Sequence, residues 1–200
     1  MDGIAKMPMT AKERGKVAPA KLAHVVLRTS PERTGSLAAW YKTVLEGEAM
    51  FENGQIAFIT YDSEHHRVAI VGIPGVAPHA DGQSGLHHMA FTYASLGDLV
   101  HTYERLKAAG IRPQFCINHG PTTSMYFFDP DKNQVELQVD NVPESDFAAY
   151  FANGAFARNP IGVTFDPDEL ARRYHAGEPE AQLLRQRDAP PADLREFPVN

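Results

Sequence analysis

The sequence predicts an α+β fold made of two tandem units, each a strand, a helix and further strands, followed by a C-terminal helical extension. Three observations carry this. A β-branched stretch from Leu22 to Thr29 is followed by apolar residues at helical spacing, and the same order recurs from His87 onward. The two leading strands register as His24-Val25-Val26-Leu27 on His88-Met89-Ala90-Phe91, which makes the chain a repeat of roughly sixty-residue units. Beyond Asp140 the strand period stops, and proline, aromatic and helix-start signals take over.

In order, Met1 to about Ala20 is polar and alternately charged without period, which reads as a poorly ordered arm over residues 1–20. The first unit covers about residues 21–73. Its leading strand puts His24, Val26 and Arg28 on one face, because side chains alternate along a strand. Leu37, Trp40, Tyr41, Val44 and Leu45 mark a helix that Gly47 stops. Gln55–Tyr61 and Arg67–Gly72 read as strands joined by the polar turn Asp62-Ser63-Glu64. The proline- and glycine-rich stretch Ile73 to Ser84 is the linker.

The second unit covers about residues 85–142. His87 to Tyr93 is a strand, Leu96, Leu99, Val100, Tyr103 and Leu106 mark a helix ending at Gly110, and Met125 to Leu137 is a β-hairpin. Asp129-Pro130-Asp131 presets the hairpin's turn, and Asn133 is expected to take its left-handed backbone position. In residues 143–200, Phe147, Tyr150, Phe151 and Phe156 point to a packed segment that either closes one side of a substrate pocket or covers a sheet edge. Asp166-Pro167-Asp168-Glu169-Leu170 is a helix start with an acidic first turn. Leu170, Tyr174, Leu183 and Leu184 then cover an apolar edge, and Ala189 onward runs over the surface.

Composition excludes several function classes. Two hundred residues, 43% of them hydrophobic, suffice for a real core. A net charge of −6 opposes phosphate binding, so nucleic acid is not the partner. Cys116 is the sole cysteine, which excludes an intrachain disulfide framework or a multi-cysteine zinc site and fits a reducing cytoplasm. No segment has the length of a membrane span or the apolar core of a signal peptide, so the expected location is cytoplasmic.

The chemistry starts from Glu136. Alternation puts Gln134, Glu136 and Gln138 on one face of a strand, and a carboxylate between Val135 and Leu137 costs several kcal/mol to desolvate unless a cation holds it. His24 and His88 occupy equivalent positions in the two units. With Glu136 they make a two-histidine, one-carboxylate set from three strands, suited to a divalent metal with open positions. His87 is the rival to His88 but faces the other side of its strand.

The paired units, the strand Gly85-Leu86-His87-His88-Met89-Ala90-Phe91 and the hairpin from Tyr126-Phe127-Phe128-Asp129-Pro130-Asp131 to Val135-Glu136-Leu137 resemble the vicinal oxygen chelate superfamily. That superfamily includes glyoxalase I, bleomycin-resistance proteins and type I extradiol dioxygenases. The resemblance covers about residues 20–142. It implies paired βαβββ modules forming a curled mixed sheet around a metal held by His24, His88 and Glu136. Glu64-His65-His66-Arg67-Val68-Ala69-Ile70 resembles the extradiol-dioxygenase strand whose second histidine is the acid–base residue, here His66. Asn118-His119-Gly120 resembles the loop histidine that binds substrate and oxygen-derived intermediates, and Tyr126 matches the tyrosine that hydrogen-bonds the catecholate.

The function this implies is extradiol cleavage of a catechol by molecular oxygen at iron(II), with manganese(II) as the alternative metal. Catechol and oxygen are then the partners, and the chain is either single or a homo-oligomer. The stretch from Gly72 to Ser84 is longer than that pattern expects, and the extra inactive pair of units common in full-length members is absent. Two rival functions remain in view. A glyoxalase- or epimerase-like isomerase would need a second acidic ligand at the end of the first unit, where Val68-Ala69-Ile70-Val71 offers none. A metal-free small-molecule-binding protein of the drug-resistance type would not need His24, His88 and Glu136 together.

Overall fold

The computed structural model describes residues 9, 10, 12–15, 17–77 and 84–193. Residues 1–8, 11 and 16 of the predicted arm, the linker core at 78–83 and the last residues from 194 lie outside them. Two compact units emerge among the described residues: one takes those of 17–87 with 128–134, the other those of 88–127 with 135–193.

The first unit runs β1 (Val25–Thr29), α1 (Thr34–Val44), β2 (Glu48–Glu52), β3 (Ile56–Thr60) and β4 (Val68–Gly72), a βαβββ module. Its four-stranded sheet has the order β1-β4-β3-β2, with β1 parallel to β4 and the other pairs antiparallel. Helix α1 buries Leu37, Ala38, Tyr41 and Val44 completely, the spacing expected of one helical face. Each large apolar side chain so removed from water contributes about 1.5–3 kcal/mol. Three local expectations change. His24 lies one residue before β1 and not inside it. The helix ends with Glu46 in the left-handed region at φ 49°, while Gly47 is needed for space, since a Cβ there would come within 2.6 Å of the Thr60 carbonyl oxygen. Strand β2 completes the implied βαβββ order at residues not picked out as a strand in the sequence, a mostly exposed edge whose polar ends, Glu48 and Glu52, hide its strand character.

The hairpin turn 128–134 belongs to this same unit. Asp129 organises it: its carboxylate accepts from the Asp131 and Asn133 amides at 2.8 Å each, from the Asn133 side chain at 2.8 Å and from the Tyr41 hydroxyl at 3.0 Å. Lys132, not Asn133, takes the left-handed position at φ 67°, because the Asn133 side chain is committed to Asp129.

The second unit repeats the module as β5 (His88–Tyr93), α2 (Leu96–Ala108), β6 (Phe115–Asn118), β7 (Thr122–Phe128) and β8 (Gln134–Asp140). Ser95 caps α2 by accepting from the Asp98 amide, and Gly110 at φ 80° ends the turn after it, as expected. The extension adds α3 (Phe147–Ala152), α4 (Ala155–Arg158), β9 (Val163–Thr164), α5 (Pro167–His175) and α6 (Glu180–Leu183). Strand β9 pairs antiparallel with β6, so the second sheet has five strands in the order β5-β8-β7-β6-β9. The mixed sheet of the sequence reading is thus two sheets, one per module. Helix α5 starts as predicted, with Asp166 capping the Asp168 and Glu169 amides. It packs on α2, where Asp168 accepts from the Tyr103 hydroxyl at 2.6 Å. Leu170 of α5 and Leu183 of α6 are buried. Among the described residues no helix is long and apolar enough to cross a membrane.

Candidate active site

In the first unit, the turn between β3 and β4 places the histidines. The Arg67 guanidinium grips Asp62 through two nitrogens and donates to the Leu22 and Ala23 carbonyls at 2.9 and 3.1 Å. The Val25 amide donates back to the Arg67 carbonyl at 3.0 Å. This staple holds the residues just before β1 against the turn, so the His24 and His66 rings lie 4.3 Å apart. His66 is buried and stacked on Phe58 at 4.5 Å with 13° between planes. Burial, and then the neighbouring His24 and His65, hold its pKa below the ordinary imidazole value, leaving a neutral ring at neutral pH. His24 and His65 are exposed, and His65 touches His66 through their Nδ1 atoms.

In the second unit the site is a hydrogen-bonded chain. The first residue of β5, His88, has Nε2 2.9 Å from Oε2 of Glu136 on β8; His87 is exposed. Glu136 is 4% exposed, with the polar side chains of Ser124 and Tyr126 of β7 near its carboxylate. Burial alone would raise its pKa, but the contact with His88, the polar neighbours Ser124 and Tyr126 and the His88 charge outweigh this and keep it below the usual carboxylate value. The Tyr126 hydroxyl lies 2.9 Å from Nε2 of His119, and its ring stacks on Phe115, its cross-strand neighbour, at 4.3 Å. Burial, with the Glu136 charge behind it, pushes the phenol well above its ordinary pKa, so it stays a donor. His119 also contacts the Ile161 carbonyl through Nδ1. Burial is the largest influence on its pKa, which is lowered, and the imidazole is neutral.

The structure therefore brings His24 and His66 together in one unit and His88, Glu136, Tyr126 and His119 together in the other. Neither unit by itself, among its described residues, gathers three His, Cys, Asp or Glu side chains into a set that could hold a metal ion. Sequence reasoning missed Ser124, Phe115 and Ile161. Ser124 was within reach of it, since it sits two residues before Tyr126 on the same strand face. Ile161 was not, because its contribution is a backbone carbonyl that no residue type announces.

The model of the Glyoxalase/Bleomycin resistance protein/Dioxygenase superfamily matches residues 21–137. The chain is 47% identical over 164 residues to biphenyl-2,3-diol 1,2-dioxygenase 2 of Rhodococcus globerulus, covering 81% of this chain and 85% of that protein. It is 41% identical over 166 residues to biphenyl-2,3-diol 1,2-dioxygenase 3 of the same organism, covering 82% and 86%. Among solved structures, lactoylglutathione lyase from Agrobacterium tumefaciens superposes with a TM-score of 0.48 at 20% identity, over 60% of this chain and 94% of that one. With the repeated βαβββ order and the matched span from the first module to Leu137, the chain belongs to the Glyoxalase/Bleomycin resistance protein/Dioxygenase superfamily.

Proposed function

We propose that this chain is an extradiol dioxygenase that opens the ring of a catechol, with aryl-substituted catechols of the biphenyl-2,3-diol kind as its substrate class. The observation that carries the reading is the identity of 47% and 41% to two biphenyl-2,3-diol 1,2-dioxygenases over more than four-fifths of the chain. The reading takes His24, His88 and Glu136 as the protein ligands of one divalent metal, iron(II) or else manganese(II), in a cytoplasmic enzyme. The side chains fit that role chemically. Imidazole nitrogen and carboxylate oxygen suit a borderline divalent ion, and the buried Glu136 already has His88 as its partner at 2.9 Å.

Held by His24, His88 and Glu136, such a metal would supply the Lewis-acid and redox chemistry by which a catechol and molecular oxygen react. The chain's own groups handle binding and protons. His66, buried and neutral, accepts a phenolic proton at a ring nitrogen, and its stack on Phe58 keeps the imidazole in one plane. Tyr126 remains protonated and donates a hydrogen bond to the anionic diol oxygen. In the free chain that one proton is shared with Nε2 of His119 at 2.9 Å, so a bound diol oxygen draws it away from His119. Phe115 closes the back of Tyr126 and excludes solvent from the phenol ring.

The test is anaerobic reconstitution with iron(II) or manganese(II), then oxygen uptake with simple, alkyl-, aryl- and carboxyl-substituted catechols. The expected result is stoichiometric oxygen consumption and a yellow ring-fission product, fastest with aryl-substituted catechols. A fully metal-loaded chain that consumes no oxygen with any catechol overturns the reading.

A further inference from the structure

His119 sits in the loop between β6 and β7, and the extension grips that loop from two directions. On one side, Ile161 directs its carbonyl at Nδ1 of His119, and the next residue, Gly162, lies directly on the loop backbone. Gly162 has φ 109°, and a Cβ there would fall 2.5 Å from the Asn118 carbonyl oxygen and 2.8 Å from the His119 Cα. Only glycine allows that approach. The register of β9 fixes it further, with Val163 opposite Asn118 and Thr164 opposite Ile117. On the other side, the Tyr150 hydroxyl fills the space where Gly120, at φ 98°, would carry a Cβ. Asn118 ties in both ends: its side chain donates to the Leu184 carbonyl at 2.8 Å and accepts from the Gly120 amide at 2.9 Å, and its carbonyl accepts from Gln186 at 3.0 Å.

We infer that the C-terminal extension is a positioning device for His119: the Ile161 carbonyl, held in place by Gly162 and β9, locks the imidazole as its Nδ1–H tautomer with Nε2 as the open base. The argument is one of hydrogen-bond valence. A carbonyl oxygen only accepts, so Nδ1 must carry the proton. In a neutral ring Nε2 is then an acceptor, and the Tyr126 hydroxyl is the donor to it. His119 and Ile161 lie 42 residues apart, so the catalytic loop of the repeated domain takes its chemical state from a segment outside it. The catalytic consequence rests on the ring-cleavage reading; the tautomer does not.

The experiment is nitrogen NMR of the full chain labelled at histidine, metal-free and at mildly alkaline pH, with the His119 signals assigned by their loss in His119→Asn. The wild-type chain should show a protonated Nδ1 and an unprotonated Nε2 at His119. Gly162→Ala should shift His119 toward the Nε2–H form while the His66 signals stay in place. A wild-type His119 in the Nε2–H form overturns the inference, whether or not the Gly162 variant folds, and so does a folded Gly162→Ala chain with unchanged His119 signals. The Nδ1–H form in a metal-loaded chain that consumes no oxygen supports this inference and defeats ring cleavage, so the two failures are distinguishable.

Discussion

The two modules share one strand order, but their outer edges end differently. In the first, β2 is the edge strand and leaves Met50 62% and Phe51 47% exposed. In the second, the equivalent strand β6 is covered by β9, and Cys116, Ile117 and Asn118 are all buried. The histidines follow the same division. His66 is held by ring stacking and a stapled turn, whereas His119 is held by hydrogen bonds at both nitrogens, one of them from the covering segment. A repeat thus copies a scaffold without copying the way each copy positions its chemistry. The covered edge is where the extension supplies a polar contact to the site.

The largest effect should come from the second module's buried pair. A His88→Ala, Glu136→Ala double variant should lose its metal to background and its oxygen uptake with it, read by elemental analysis after anaerobic reconstitution. Full metal retention in that variant would sink the ligand assignment.

Next in size is His66→Phe. The new ring can still stack on Phe58, so the fold and the metal should persist, while the catalytic constant falls by about 10²- to 10⁴-fold, the usual contribution of a general acid–base group. Steady-state oxygen uptake together with metal analysis checks this, and wild-type turnover would remove His66 from the mechanism. Tyr126→Phe should differ in kind. On the ring-cleavage reading it would delete a hydrogen bond to a charged ligand, so catechol binding should weaken by about 1.5–3 kcal/mol in addition to slower turnover. If binding were untouched, the tyrosine would not be facing the diol.

Stability variants probe the edges themselves. Leu99→Ala, in the fully buried face of α2, should cost about 2–5 kcal/mol. Met50→Lys on the open β2 edge should change stability by no more than about 0.5 kcal/mol, because an exposed side chain leaves no cavity. Denaturant midpoints of the two variants measure the contrast. A large loss from Met50→Lys would mean that the β2 edge is covered in solution.

Much of this protein was legible in the order of its residues. The repeat of two modules follows from hydrophobic period and strand register, both local properties, and Glu136 declared itself because a carboxylate inside an apolar strand demands a partner. His66, His119 and Tyr126 were identified by resemblance, on short motifs whose residues stand next to one another in the chain. Other features depend on contacts between segments far apart. Only the folded chain shows that Lys132 takes the left-handed position, since Asn133 is drawn to Asp129, or that Glu46 ends α1 while Gly47 makes room for Thr60. The same holds for β2, whose exposed residues carry little apolar signal, and for β9, two residues long and made a strand by its neighbour β6. Sequence by itself determined which side chains could do the chemistry, because residue type sets acidity and donor capacity. Tertiary structure decided the state of His119, because a backbone carbonyl is the same in every residue and acquires meaning only from what it is placed against.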